Sequence, residues 1–147
     1  MATTDQMQEI VLGFDGSECA ERALAWAIEE AKLRGARLRV ITTWHLPALI
    51  YGAPGFVPTV APPLDDAVRD WANGVASGAA ERARSQGVKA ESVAPEAQAA
   101  DALVDASKRA SLLVVGSRGH GGFVGLLLGS VGQQCAHHAA CPLVIVR

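Results

Sequence analysis

A chain of 147 residues with a formal net charge of −2 is long enough to bury one hydrophobic core without disulfides or a structural metal, and it lacks both the broad basic surface and the local lysine or arginine run that nucleic acid calls for. Half of the residues are hydrophobic, yet the longest apolar stretches fall well short of the roughly 20 residues that cross a bilayer, so neither membrane nor nucleic acid is expected as a partner. Three cysteines, Cys19, Cys135 and Cys141, form an odd set without CxxC spacing, which argues against a disulfide framework and for reduced thiols. The opening MATTDQMQEI has neither a basic patch nor an apolar core, so it does not read as a signal peptide, and a soluble, cytoplasmic protein is expected. No internal repeat stands out, and residues 1–147 read as a single domain.

The run IVLGF, Ile10 to Phe14, is apolar and branched and is closed by DGS, the pattern of a buried strand ending in a turn. From Ser17 the period changes. Ala20, Leu24, Ala27, Ile28 and Ala31 recur at helical spacing, with Glu18/Arg22 and Glu30/Arg34 four apart on the wet side. Ser17 is placed to cap this helix and Gly35 to stop it. RLRVITTW, Arg37 to Trp44, has the content of a second strand. His45 to Pro63 holds five of the seven prolines and so supports neither a helix nor an inner strand; a loop of that length is either disordered or functional, for instance as a lid.

A second amphipathic helix is expected from Asp65 or Asp66 to about Gln86, with Val68, Trp71, Val75 and Ala79 on its inner face. VKAESV follows as a weak third strand. A third helix fits Ala99 to Arg109, with Leu103, Ala106 and Ala110 inward and Asp105 paired with Arg109. SLLVVGS is the strongest strand. After a glycine-rich stretch, Ser130 is placed to cap a last helix to about Ala139, and CPLVIVR closes the chain as a strand. Strands alternating with helices imply an open, mostly parallel α/β sheet, covered on both faces and wound by right-handed crossovers.

The segment VVGSRGHGGFVGLLLGSVG, Val114 to Gly132, carries seven of the fifteen glycines, more than one turn needs. In sheets of this kind ligands bind beyond the carboxyl ends of the strands, where strand order reverses. Glycines there permit positive φ and aim successive amides into one anion-binding concavity, to which the following helix adds its unpaired N–H groups and dipole. Arg118 and His120 lie inside the loop and are candidates to add positive charge, with water-facing orientations as the alternative. GxxxxGK[ST] is absent, and GFDGSE does not match GxGxxG, so neither a P-loop nor a dinucleotide fingerprint is present.

Gly116, Gly119, Gly129 and Ser130 meet the pattern G-x2-G-x9-G-[ST], and together with IVLGFDGSECAERAL and HHAACPLVIVR they make nearly the whole chain resemble the universal stress protein family, its ATP-binding branch in particular. The resemblance implies a Rossmann-like five-stranded sheet in the order 3-2-1-4-5, ATP with Mg as ligand, and a homodimer joined through the last strand. Position by position, Asp15 resembles the family's nucleotide-contacting aspartate, with Gly13 beside it and Thr43 where the main chain meets adenine. Gly116, Ser117, Arg118, Gly119, His120, Gly121 and Gly122 would wrap ribose and phosphates, and Gly129, Ser130 and Val131 would bind phosphate. One departure is that Ala97 and Ala99 stand where many relatives have glycine and proline.

Other candidates weigh less. CAHHAAC offers Cys135 and His138 three apart, short of the four converging ligands of a zinc site. Cys19 sits in a first helical turn, where the dipole lowers a thiol pKa, although a buried inert cysteine is the commoner case. Trp26, Trp44 and Trp71 read as core or interface filler. No catalytic residue is assigned, and at most weak ATP hydrolysis is expected. A nucleotide-dependent regulatory or signalling dimer leads; a slow ATPase or autophosphorylating enzyme and a nucleotide-free interaction module are the alternatives.

Overall fold

A computed structural model describes residues 8–46, 61–120 and 128–147. Five parallel strands, β1 (Glu9–Gly13), β2 (Arg37–Ile41), β3 (Ala90–Val93), β4 (Leu112–Gly116) and β5 (Leu143–Val146), pair in the order β3-β2-β1-β4-β5. Among the described residues four helices connect them: α1 (Glu18–Arg34), α2 (Ala61–Ser85), α3 (Ala99–Ser107) and α4 (Ser130–His138).

Strand side chains alternate between faces, and the core divides accordingly. Ile10, Leu12, Leu38, Val40, Leu112 and Val114 pack under α1 and α2, whereas Val11, Ile41, Leu113 and Val115 pack under α3 and α4 with Leu103 and Cys135. Burial on both sides explains why the strands read as continuous apolar runs. The chain winds outward from β1 to β3 with helices on one face, then crosses to β4 and β5 with helices on the other. The carboxyl ends of β1 and β4, adjacent in register, therefore open onto a crevice between two oppositely directed connections.

Local chemistry sets the ends of α1. Ser17 Oγ accepts from the Ala20 amide at 3.2 Å, and Gly35 adopts the left-handed conformation at φ 62°, so that the Ala36 amide returns to the Ala31 carbonyl at 3.0 Å. The expected ion pairs Glu18–Arg22 and Glu30–Arg34 form at 2.8 and 2.6 Å.

Three boundaries and one helix face differ from the sequence reading. Helix α2 begins at Ala61, ahead of Asp65, and takes Pro62 and Pro63 into its first turn, where a missing N–H breaks no intrahelical bond; the rest of the proline-rich segment, 47–60, lies outside the described residues. Its buried stripe is Ala72, Ala76, Ala79, Ala80 and Ala83, which leaves Trp71 half exposed. After Ser107 the chain tightens, with Arg109 and Ala110 amides bonding three residues back; residues i and i+3 eclipse in such a turn, so Asp105 pairs with Lys108 at 3.1 Å instead of Arg109. Finally, β2 stops at Ile41, and Trp44 makes only an isolated bridge to Glu96.

Candidate functional site

A cavity of about 640 Å³ opens above the carboxyl ends of β1, β2 and β4. Three segments build it: the β1–α1 turn, the exit of β4, and the first turn of α4. Ile41, Thr42 and Thr43 close one end from β2, and Ala99 and Leu103 reach in from α3.

The β1–α1 turn is rigid. Phe14 donates its amide to Ile41 at 3.0 Å and accepts at its carbonyl from the buried Thr42 hydroxyl at 2.6 Å. Arg82 of α2 lies over the Phe14 ring, 5.6 Å from its centroid, while gripping Glu21 of α1 through both terminal guanidinium nitrogens. Gly16 sits at φ 77°, a conformation that disfavours any side chain, and lets the Asp15 carboxylate fold forward to accept from the Ser17 amide at 2.9 Å.

At the exit of β4, absent side chains matter more than unusual dihedrals. Among the described residues positive φ occurs only at Gly16, Gly35 and Gly87, so Gly116, Gly119 and Gly129 do not take the left-handed turn expected of them. Gly116 and Gly119 serve close approach instead. A Cβ on Gly116 would stand 2.9 Å from the Cys19 carbonyl carbon and 3.0 Å from the Ala20 amide nitrogen, and one on Gly119 would stand 2.6 Å from Asp15 Oδ2. The bare edge of β4 thus lies flat against the start of α1.

Helix α4 opens on the same wall. The Gly129 amide donates to the Ser117 carbonyl at 2.7 Å, which locks the helix start beside the β4 exit. Gly129, not Ser130, is the N-cap, and no side chain caps it. The first helical N–H groups have no intrahelical acceptor; residues 129–133 line the cavity, and the positive end of the helix dipole faces it.

Ser117 borders the cavity but is committed elsewhere. Its amide donates to the Val146 carbonyl at 2.7 Å, and its Oγ lies 3.6 Å from Cys19 Sγ. Cys19 is buried; the hydrogen bond with the Ser117 hydroxyl, aided by the Arg118 main chain and Arg22, holds its thiol below the ordinary range against the opposing effect of burial. Burial alone pushes the Cys135 thiol up. Arg118 is exposed on the cavity rim, and Asp15 is the one carboxylate lining the cavity among the described residues.

Of the residues singled out from sequence, Gly13, Asp15, Thr43, Gly116, Ser117, Arg118, Gly119, His120, Gly129, Ser130 and Val131 all border this cavity; Gly121 and Gly122 lie outside the described residues. Sequence reasoning missed Trp71, Gln133 and Ser17 as lining residues. The alanine stripe of α2 could have revealed Trp71, because it leaves that position on the flank of the helix. Trp44 holds the loop that carries Ala97: its carbonyl accepts from the Ala97 amide at 3.0 Å, and its indole N–H donates to the Ala94 carbonyl at 3.0 Å.

Residues 7–147 match the model of the universal stress protein family. A universal stress protein of Mycolicibacterium smegmatis is 34% identical over 147 residues, covering 99% of this chain and 48% of its own. Universal stress protein YxiE of Bacillus subtilis is 30% identical over 149 residues, covering 95% and 98%. A universal stress protein solved in complex with cAMP is 32% identical with a TM-score of 0.61, covering 95% of this chain and 96% of its own. The chain thus spans about half the length of the mycobacterial relative and nearly all of the Bacillus one.

Proposed function

Because this chain belongs to the universal stress protein family, we propose that the cavity above β1, β2 and β4 binds an adenine nucleotide, ATP with Mg, and that occupancy signals to partners from a cytoplasmic homodimer joined through β5. The single observation that carries the reading is the Gly129 amide on the Ser117 carbonyl at 2.7 Å. It brings an uncapped helix start and a glycine-lined strand exit onto one wall, the arrangement that receives phosphate oxygens. The relative solved with cAMP supports an adenine nucleotide as the ligand class.

The donor set suits the ligand in parts. Main-chain amides of α4 and the Arg118 guanidinium meet anionic oxygens, Arg118 with two donors at once. The apolar end formed by Ile41, Ala99 and Leu103 suits a base. Asp15 accepts one amide at each oxygen, from Ser17 and His120, which leaves lone pairs for ribose hydroxyls or for a hydrated cation. Magnesium is commonly held by one carboxylate together with substrate phosphates and water, so a single aspartate fits it; when bound, the ion neutralises phosphate charge.

Binding is favoured over turnover by the same contacts. The Asp15 carboxylate accepts two amides, and the His120 ring Nε2 donates to the Asp15 carbonyl at 2.8 Å, so both groups serve to hold the turn, and no catalytic role is assigned to either. Among the described residues β5 has a strand neighbour on one side only, and a strand edge of that kind is a ready surface for a second copy.

Titration calorimetry with ATP and Mg tests the reading. Saturable binding is expected that Asp15→Ala weakens about tenfold or more, the loss of one charged hydrogen-bond partner, and that Gly119→Glu weakens as well, by driving a side chain against Asp15. Binding unaffected by both substitutions, or no binding at all with no nucleotide released from the freshly purified protein on denaturation, overturns it. Phosphate release above a buffer blank would replace the binding reading by a hydrolytic one.

A further inference from the structure

The geometry points to Trp71 as the surface on which the nucleobase stacks, a role that rests on the nucleotide reading above. The buried residues of α2 are all alanine, Ala72, Ala76, Ala79, Ala80 and Ala83, with Val75 partly buried beside them, whereas Trp71 is 51% exposed and borders the cavity. A half-exposed indole fills no core, and among the described residues it meets no other ring or cation. One turn further along α2, Val75 Cγ1 lies 3.8 Å from where a Cβ would stand on Gly16, and His120 Nε2 lies 4.0 Å from that same point. This part of α2 therefore leans over the β1–α1 turn that holds Asp15.

The cavity has apolar walls from opposite faces of the sheet. Ala99 and Leu103 come from α3, on one face, and Trp71 from α2, on the other. The phosphate-binding amides occupy a third side, at the start of α4. An indole has one N–H donor and no charge, so it offers little to phosphate, but its face is well suited to a flat aromatic base. A ligand with an anionic tail at α4 and a planar head between α2 and α3 satisfies all three sides.

Trp71 is one of three tryptophans, which permits a direct test. In the Trp26→Phe/Trp44→Phe protein Trp71 is the sole indole, and its emission is followed during titration with ATP and, separately, with tripolyphosphate. Quenching by ATP but not by tripolyphosphate is expected. In the otherwise native chain, calorimetry should find that Trp71→Ala weakens ATP about tenfold, the size of one lost base stack, leaves tripolyphosphate affinity unchanged, and is largely rescued by Trp71→Phe. Native ATP affinity in Trp71→Ala, or an equal loss for tripolyphosphate, overturns the stacking role while leaving the nucleotide reading intact. Absence of ATP binding in the unsubstituted chain overturns both.

Discussion

His120 clasps Asp15 at two points: its amide donates to Asp15 Oδ2 at 3.3 Å, and its ring Nε2 lies 2.8 Å from the Asp15 carbonyl oxygen. A carbonyl only accepts, so Nε2 carries the hydrogen. The clasp joins residues 105 apart in the chain and makes the β1–α1 turn and the β4 exit one wall. It also closes on a space that only glycine leaves open.

Gly119→Ala places a methyl 2.6 Å from Asp15 Oδ2, and the carboxylate must abandon the Ser17 or the His120 amide to escape. A stability loss of about 1–2 kcal/mol is expected, the scale of overpacking plus a strained hydrogen bond, together with weaker ATP binding. Gly129→Ala is the contrast, because its nearest neighbour would be the Ser117 carbonyl at 3.5 Å and its φ is −75°. Urea denaturation of the pair decides: equal stabilities would contradict the steric account.

Gly116→Ala meets backbone in place of a mobile side chain, at 2.9 Å from the Cys19 carbonyl carbon. Helix α1 has to move off β4, at a cost of about 1–3 kcal/mol. The check is the denaturation midpoint, and a variant as stable as the native chain would mean that α1 is less firmly seated than its contacts indicate.

Ser17→Ala removes the hydroxyl that receives the Ala20 amide at 3.2 Å and should lower stability by about 1 kcal/mol, the usual worth of an N-cap. Ser17→Asp keeps an acceptor at the positive end of α1 and should retain most of that stability. Thermal unfolding of the two variants side by side separates a lost cap from a merely disturbed turn.

The Cys19 thiol, lowered mainly by its bond with the Ser117 hydroxyl, should be the first of the three cysteines to ionise. Its folded pKa lies below its unfolded one, so between the two values the unfolded chain binds more protons and stability rises with pH. That increment vanishes as pH falls through the folded value. Cys135 and Cys141, both raised by burial, act in the opposite sense at higher pH. Thiolate absorbance against pH should show an early step that Ser117→Ala shifts upward and Cys19→Ser removes, and the rise in stability should flatten in Cys19→Ser. A native titration with no early step would contradict this.

Much of the frame was legible locally. Branched runs marked the strands, the 3.6-residue recurrence of Ala20, Leu24, Ala27, Ile28 and Ala31 marked α1, and Ser17 and Gly35 marked its ends, because each signal depends on residues within a turn or two. The inner face of α2 was legible only in part: Val75 and Ala79 pack on the core as expected, whereas Trp71 does not. The buried stripe of the helix is built from alanine, whose weak hydrophobic signal is easily overruled by a nearby tryptophan, so Trp71 was assigned to the core that Ala72 and Ala76 occupy.

Local patterning already demands alternating strands and helices, hence a parallel sheet with its open crevice, and it gathers glycine where that crevice falls. What Gly116 and Gly119 are for emerges only from packing. Their role is clearance for the backbone of α1 and for Asp15, not left-handed turns, and Ser117 faces Cys19 and Val146 as well as the cavity. Conformational preference is a property of neighbours along the chain, whereas clearance and hydrogen-bond allegiance depend on which distant segments the packed sheet brings together.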